Sequence, residues 1–466
     1  MYSNHKQITS KVVAHPVINK LSTFPADSYS IFASNALSRD IFFKREIAEL
    51  NLVIIGNNPT ITEELTLAFP EIREDSDCIY FLYYENEIFV KISYYQVSGK
   101  LNLRNKSYKQ LVSSICLNAG IATRCLLYQI KTNELTLLDP LAAKKILLEK
   151  DISKYLISLD SVKSNPLCLL RYIYDSYYLN YDLTDEFKTL IPELAEGINI
   201  IRRFELGHYL LSALRFPLPS QILETLFRLN ILKSAYPEID ALAGVEQMNE
   251  YNHKDVFFHT CKVIDNICGE TDNVWLRLSA LLHDIAKPAT KRFIEGTGWT
   301  FHAHEVIGSR FVKRIFAKYY LPREYLSYIQ ILVKLHLRPS ALAQEEVTDS
   351  AVRRLITESQ GFIEDLLTLC RADITSKNPA KVSKVLSKYL FVEKRILEVK
   401  EKDTLAMFQS PVRGDEIMRL CNIKPSKEVG LIKDDIESAI LNGNIENTYE
   451  AALEYLQIIK GKYLTH

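Results

Sequence analysis

The spacing of apolar residues changes along the chain near residue 139. Before this point, short apolar runs alternate with polar turns, a pattern typical of strands in a mixed sheet. Strands are predicted over residues 52–55, 78–84, 88–95, 124–130 and 134–138, with residues 131–133 as the last turn. Beyond residue 139, apolar positions recur about every 3.6 residues, which predicts helix almost throughout. We therefore expect an α+β fold, with a small mixed α/β head and a long, mostly α-helical remainder.

The length and the cysteine pattern bound the class of protein. The chain has 466 residues, beyond the ~250 at which single cores stop growing, so several packed units are expected. No apolar run approaches the ~18 residues of a membrane span, so no membrane partner is expected. The eight cysteines show no disulfide spacing and no CxxC pair, and the first residues lack the apolar stretch of a signal peptide. These features favour a reduced, cytoplasmic protein.

The charge balance gives no global indication of a nucleic-acid partner. Lysine and arginine number 57 and aspartate and glutamate also number 57, so the formal net charge is zero. Local basic clusters still matter, because an interaction surface needs only local charge. One such cluster lies at residues 287–292, although clusters of this kind more often form a solvated helix face.

A histidine and an aspartate stand side by side at His283 and Asp284. They follow the apolar run 276–282, so we expect them at the end of a buried helix. An imidazole and a carboxylate bind a divalent ion at about 2.0–2.2 Å, and a hydrolytic metal needs further protein ligands and an open position for water. His259 and Asp373 are the candidates, since each lies in an apolar helical context where an unpaired polar group is costly.

Histidines cluster around this pair. A single histidine on an apolar helix face is more often a core residue than a ligand, but clustering favours a site. Of ten histidines in the chain, those between residues 253 and 336 are His253, His259, His283, His302, His304 and His336. The last three are candidates for a second metal or for contacts to a phosphate, and His302 is equally well explained by packing along the cleft.

Lys287 adds a cation to the candidate site. It falls one turn after His283 on a continuing helix, from which its ammonium group can reach a phosphate oxygen. The chemistry that fits is activation of water by a divalent metal, followed by phosphoester hydrolysis. The predicted catalytic residues are His283, Asp284, Lys287, His304 and His336. The donor types leave manganese, nickel, cobalt, zinc, iron and magnesium open.

The order His259, His283-Asp284, Asp373 resembles the HD phosphohydrolase superfamily. The resemblance is closer to the HD domain fused to bacterial tRNA nucleotidyltransferases, the CCA-adding enzymes of the class II poly(A) polymerase-like family. It is carried by NHKDVFFHTCKVIDN, LSALLHDIAKPATK, FHAHEVIGSRF, LVKLHLRP and CRADITSKNPAKV, and it continues into the tail from FQSPVRGDEIMRL onward. The domains implied are a nucleotidyltransferase-like head (1–145), a helical neck (146–235), an HD domain (236–390) and a helical tail (391–466).

The head departs from this family at its working positions. The family's Gly-Gly corresponds to Asn35 and Ala36, whereas the Arg-Asp that follows is retained as Arg39 and Asp40. The family's metal-holding Asp-x-Asp reads Glu49 and Asn51, and the later acidic residue reads Lys91. A neutral amide is a poor substitute for a bridging carboxylate, because paired divalent ions need anionic ligands. The resemblance therefore implies a transferase fold without transferase chemistry.

Three hypotheses follow for function. The first is a metal-dependent HD phosphohydrolase that acts on an RNA end, a cyclic nucleotide phosphate or another phosphoester. The second is a working tRNA nucleotidyltransferase that adds CCA. The third is a noncatalytic tRNA-binding or RNA-binding protein. In the neck only Arg171 and Arg203 match the family's basic positions, and they are the predicted contacts to RNA, with tRNA as the expected partner.

Overall fold

The computed structural model describes most of the chain. The described residues are 10–23, 29–43, 49–57, 60–69, 72–74, 79–85, 88–97, 101, 105–119, 121–131, 134–149, 159–249, 252–295, 298–342, 348–376, 378–407 and 410–464. Among the described helices, none combines the length and the hydropathy that a membrane crossing requires.

The head is built on a seven-stranded sheet. Its elements are α1 (Pro16–Leu21), β1 (Tyr29–Ala33), α2 (Asn35–Phe43), β2 (Glu49–Gly56), α3 (Thr60–Ala68), β3 (Ile72–Glu74), β4 (Ile79–Glu85), β5 (Ile88–Gln96), α4 (Lys106–Asn118), β6 (Leu127–Lys131) and β7 (Glu134–Leu138). The strand order is β3-β4-β5-β2-β1-β6-β7, and β2 pairs in parallel with β5. Strand β2 is buried along its whole length, as the apolar run at its centre predicts.

Helices dominate after the sheet. They are α5 (Ala143–Glu149), α6 (Leu159–Ser164), α7 (Leu167–Leu179), α8 (Asp185–Glu196), α9 (Arg203–Leu214), α10 (Pro219–Arg228), α11 (Leu232–Ala235), α12 (Pro237–Asp240), α13 (Val256–Cys268), α14 (Val274–Leu282), α15 (Lys287–Thr290), α16 (His304–Tyr319), α17 (Leu326–Leu335), α18 (Arg338–Leu342), α19 (Asp349–Glu358), α20 (Ile363–Ala372), α21 (Pro379–Met407), α22 (Gly414–Cys421), α23 (Lys427–Leu441) and α24 (Tyr449–Tyr463). Two short hairpins interrupt them, formed by β8 (Glu246–Asn249) with β9 (Asn252–Asp255) and by β10 (Arg292–Ile294) with β11 (Gly298–Thr300).

The predicted α+β fold is confirmed, with local differences. The strand expected from residue 124 begins at Leu127, because Ala122–Arg124 form a turn of 3-10 helix. The two hairpins lie where helix alone was expected, since their runs of three or four residues are too short to show a period. Residues 132–133 of the predicted turn lie outside the described residues.

The chain divides into two compact units, and the four predicted domains stay a prediction. One comprises Met1–Arg338 with Phe362–Val382, and the other comprises Pro339–Gly361 with Ser383–His466. Residues 339–361 therefore group with the C-terminal helices and not with the rest of the predicted HD range. The second unit has its own core, in which Val412, Ile417, Ile432, Ile436 and Leu456 are fully buried. The finer boundaries at residues 145 and 235 stay predictions.

A buried carboxylate joins the sheet to the first neck helices. Asp175 of α7 accepts hydrogen bonds from Arg39 at 2.7 Å and from Arg124 at 2.9 and 3.0 Å, and also from the Thr123 hydroxyl. These side chains are almost completely buried. Burial alone would raise the pKa of Asp175, but the Arg124 and Arg39 guanidinium groups lower it below its usual value. The head and α7 are therefore held together by compensated buried charge.

We expect Asp175→Asn to lower the free energy of unfolding by about 3–5 kcal/mol at neutral pH, because two buried guanidinium groups lose a carboxylate that they share. Urea unfolding followed by circular dichroism measures the change. Asp182→Asn, which replaces an exposed aspartate of the neck, is the matched control and should unfold like the wild type. An unchanged midpoint in Asp175→Asn would contradict this role.

The same interaction has a defined pH dependence. The folded pKa of Asp175 is depressed, so its contribution to stability is present above the unfolded pKa of ~3.9 and is lost as the pH falls through the folded pKa. The difference in unfolding free energy between wild type and Asp175→Asn should therefore be full at pH 7 and shrink below about pH 4. Urea titrations at both pH values test the sign.

Candidate metal centre

Three helix segments bring the predicted ligands together. Helix α13 carries His259 and begins at the N-cap Asp255, whose carboxylate accepts from the Phe257 backbone N–H at 2.9 Å. Helix α14 ends at Leu282, so that His283 is its C-cap residue and Asp284 follows in the turn, as predicted. Helix α20 ends at Ala372 with Asp373 as its C-cap residue. A helix end allows a side chain to turn inward without breaking the apolar stripe behind it.

His259, His283 and Asp373 form a first group of ligand atoms. All three ligand atoms lie within 4.8 Å of one another. His259 Nε2 is 2.9 Å and His283 Nε2 is 3.6 Å from Asp373 Oδ1. Asp284 Oδ2 lies beside this group, 3.1 Å from His283 Nε2 and 3.7 Å from His259 Nε2. The four residues that the sequence proposed as ligands therefore converge in space.

A second group faces the other oxygen of Asp284. His304 Nε2 lies 3.2 Å and His336 Nε2 lies 3.8 Å from Asp284 Oδ1, and the three ligand atoms are again mutually within 4.8 Å. All three side chains are buried. One carboxylate thus lies between two clusters of ligand atoms, which is the arrangement that a bridging ligand adopts in two-metal sites.

The histidine rings are oriented by backbone carbonyls. The Nδ1 atoms of His283, His304 and His336 lie 2.7–2.8 Å from the carbonyl oxygens of Ala280, Phe301 and Val333. A carbonyl oxygen only accepts, so Nδ1 carries the hydrogen and the neutral ring presents the lone pair of Nε2. This arrangement is the one in which histidine ligates metals.

The donor atoms of the site fit a shared cation. His283 Nε2, His304 Nε2 and Asp373 Oδ1 are buried and make no hydrogen bond among the described residues, although charged neighbours lie within 4 Å. Leaving such atoms unsatisfied costs about 1–3 kcal/mol each. A divalent ion removes this cost for several of them at once, and imidazole and carboxylate are among its common ligands.

Charge on the two aspartates controls the protonation of the rings. Burial disfavours a charged imidazole, but the Asp284 and Asp373 carboxylates outweigh it and raise the pKa of His283 to about 10. For His336, burial and the charge on His283 lower the pKa to about 4. The pKa values of Asp284 and Asp373 lie well below the usual range, since their basic neighbours outweigh the effect of burial. The carboxylates are therefore ionised, and a proton occupies His283 when no cation does.

Lys287 lies inside the site, but a turn places it there instead of the continuing helix that the sequence predicted. Helix α14 does not continue to Lys287, because residues 283–286 form a turn and the short α15 starts there. The buried ammonium group lies 2.7 Å from Asp284 Oδ2. His302, by contrast, is exposed and belongs to neither group of ligand atoms among the described residues.

The residues at the predicted transferase positions are held by ion pairs. Glu49 is buried, its Oε2 lies 2.7 Å from His208 Nε2, and its Oε1 lies 3.6 Å from Arg124 Nη1. Asn51 donates to the same carboxylate at 3.3 Å. Lys91, on the strand next to Asn51, contacts Glu205 at 2.8 Å.

His208 was not predicted, because nothing in its apolar helix sequence indicates that it faces Glu49. The carboxylate that remains at the Asp-x-Asp position is thus compensated by side chains of the protein. Arg39 and Asp40, the retained pair, also bond to each other, at 2.8 Å.

The predicted RNA contacts of the neck separate in the structure. Arg171 lines a cavity of about 510 Å³ together with Lys91, Arg202 and Glu205. Arg203 does not line it, and its buried Nη1 has no hydrogen-bond partner among the described residues. Arg202 lines the cavity although the sequence did not predict it, and it is the N-cap residue of α9, whose extended backbone differs from that of the first helical residue Arg203.

Comparison with known proteins matches two parts of the chain. Residues 250–376 match the HD domain family model. The A-adding tRNA nucleotidyltransferase of Deinococcus radiodurans is 25% identical over 328 residues, which cover 68% of this chain and 73% of that protein. The CC-adding tRNA nucleotidyltransferase of Thermus thermophilus is 28% identical over 251 residues, which cover 51% of this chain and about half, 52%, of that protein.

Among solved structures, the Thermotoga maritima CCA-adding enzyme complexed with tRNA is similar over 98% of this chain and 99% of that chain, at 12% identity and a TM-score of 0.43. The resemblance predicted from the motifs is confirmed by the HD match and by the relatives. The chain therefore contains an HD domain and is related, over 68% of its length, to tRNA nucleotidyltransferases.

Proposed function

We propose that this protein is a metal-dependent phosphohydrolase of the HD type, on a scaffold like that of CCA-adding enzymes. His259, His283, Asp284 and Asp373 are the proposed metal ligands, and His304 and His336 the proposed ligands of a second position. The observation that carries the proposal is the buried Asp284 carboxylate, whose two oxygens face two groups of imidazole Nε2 atoms.

The charges of the site favour both a cation and an anionic substrate. Asp284 and Asp373 supply two negative charges, and Lys287 supplies one positive charge. A divalent ion held there would activate water and polarise a phosphoryl oxygen. Lys287 fixes the Asp284 carboxylate and offers its remaining N–H groups to a phosphate oxygen. The rings of His304 and His336 are oriented by the contacts of their Nδ1 atoms. Their Nε2 atoms would provide ligands on the side of the site that faces Asp284 Oδ1.

The types of donor atom limit which metals suit the site, but they do not identify one metal. Only nitrogen and oxygen atoms belong to the two groups. Cys370 lies next to His336, but its thiol donates to the His336 carbonyl oxygen and burial raises its pKa, so it stays protonated. Without a thiolate, manganese, nickel, cobalt, zinc, iron and magnesium all remain suitable.

Removing the bridging carboxylate should remove metal and activity together. We expect Asp284→Ala to lose bound metal, measured by elemental analysis of the purified protein, and to lose hydrolysis of phosphomonoesters and 2′,3′-cyclic nucleotides. Asp434→Asn, which replaces an exposed aspartate on α23, is the control and should keep both. Turnover at the wild-type rate in metal-free Asp284→Ala would refute the metal mechanism.

Variants of Lys287 should distinguish binding of the substrate from binding of the metal. We expect Lys287→Ala to retain the metal content of the wild type while kcat/KM falls by about 100-fold, the effect of losing one donor to a charged phosphoryl oxygen. Lys287→Arg should recover part of the loss, because it restores the positive charge. If Lys287→Ala lost its metal, the role of Lys287 would instead be to position the Asp284 carboxylate.

Nucleotide transfer is the second candidate function, and the names of the relatives favour it. Against it stand the Glu49 carboxylate, already paired with His208 and Arg124, and the ammonium group of Lys91 at the later acidic position. We expect no incorporation of CTP or ATP into tRNA that lacks its CCA end at saturating magnesium. Incorporation above the no-enzyme level would establish the transferase.

RNA is the proposed partner in either case. The relatives act on tRNA by name, and the cavity with Arg171 and Arg202 offers positive charge beside the degenerate transferase positions. A noncatalytic role would be indicated if tRNA binding and cellular function both survived Asp284→Ala.

A further inference from the structure

The hairpin of β10 and β11 leaves large apolar side chains in solvent. Phe293 is 64% exposed, and Ile294 and Trp299 are each 41% exposed. Phe293 lies directly across from Trp299 in the register of the two strands, and their rings meet edge to face with centroids 5.3 Å apart. Such a pair on so short a hairpin contributes little to a core, so its exposure calls for another explanation.

Positive charge surrounds these rings. Lys291 Nζ lies 4.5 Å from the centroid of Trp299, and Arg292 is exposed at the start of β10. Neither cation forms an ion pair within the described part of the chain, and the nearest acidic residue in sequence is the exposed Glu295. Exposed aromatic faces beside unpaired cations are the features with which proteins bind bases and phosphates of nucleic acid.

The hairpin is continuous with the metal centre at both ends. Helix α15 begins with Lys287 and leads into β10, and β11 leads through Phe301 to His304. Phe301 accepts from His304 Nδ1 at 2.8 Å, and its ring centroid lies 5.7 Å from Lys287 Nζ. With a rise of about 3.3 Å per strand residue, Trp299 lies about 7 Å along the chain from Phe301. The aromatic pair is therefore a near neighbour of the proposed phosphate position.

We propose that this hairpin is a base-stacking platform, which selects phosphate esters of nucleosides for the HD site. The nucleobase stacks on the Trp299 ring, beside which the Phe293 ring lies, while Lys291 and Arg292 offer positive charge to the phosphate ester. The inference rests on the proposed hydrolytic function for its substrate but not for its binding step. Lysine is depleted in protein-docking surfaces, whereas here Lys291 lies directly against the Trp299 ring.

Tryptophan fluorescence tests binding without any need for turnover. The chain has two tryptophans, and Trp275 is buried and stacked on Tyr325 with centroids 4.0 Å apart, so Trp299 is the one that solvent and ligand reach. AMP should quench the fluorescence of the full chain in a saturable way, whereas inorganic phosphate should not. Trp299→Leu should abolish the AMP response. Equal quenching by AMP in Trp299→Leu, or none in the wild type, would overturn the platform.

Substrate discrimination tests the consequence for catalysis. The ratio of kcat/KM for AMP to that for glycerol phosphate, which has no base, should fall about 10-fold or more in Trp299→Leu, the loss expected for one stacked base. Trp299→Phe should restore most of the ratio because it restores a ring. Phe391→Leu, at an exposed phenylalanine of α21, is the matched control and should leave the ratio unchanged.

The two measurements distinguish failure of this inference from failure of the proposed function. If the wild type hydrolyses neither ester, the hydrolytic function fails, and the fluorescence titration still decides whether the hairpin binds a nucleotide. If both esters are hydrolysed and the ratio is the same in wild type and Trp299→Leu, the platform is overturned while the metal centre stands.

Discussion

The Asp284 carboxylate is the constraint on which the candidate site depends. It is almost completely buried, it lies against Lys287, and its oxygens separate the group of His259, His283 and Asp373 from the group of His304 and His336. A buried carboxylate is tolerated only when its charge is compensated. The ammonium group of Lys287 compensates one negative charge, and the Asp373 carboxylate adds a second negative charge to the site. In the proposed function a divalent ion would compensate this second negative charge, in place of the proton that His283 carries when no cation is bound.

The buried carboxylates of the head must be compensated too, and there the basic side chains of the protein do so. Glu49 and Asp175 are also buried carboxylates, but the basic side chains of His208, Arg124 and Arg39 surround them. One unit therefore contains one set of buried acids that basic side chains of the head and neck compensate, and another that Lys287 and a proton on His283 compensate when no cation is bound. The first set stabilises the junction of sheet and neck, and the second leaves donor atoms available for a ligand.

Sequence predicted those parts of the site that depend on local pattern. The His283-Asp284 pair at the end of an apolar helix and the buried strand β2 follow from residue spacing alone, and the structure contains both. Contacts between distant elements could not be predicted in this way. His208 facing Glu49, and Arg202 rather than Arg203 at the cavity, depend on the rotation of one helix relative to a sheet. Lys287 reaches Asp284 through a turn, which helical spacing alone does not reveal.

The ion pairs of the head also explain why Asn51 alone would not account for a loss of transfer chemistry. Restoring an aspartate there would place a second carboxylate beside Glu49, yet His208 and Arg124 would still occupy the first. Lys91 would remain next to it on β5, as the positive partner of Glu205. A magnesium ion would have to displace the basic partners of Glu49 before it gained this carboxylate as a ligand. A loss of transfer chemistry would therefore be distributed over the sheet and the neck, and substitution of Asn51 alone would not restore a metal site there.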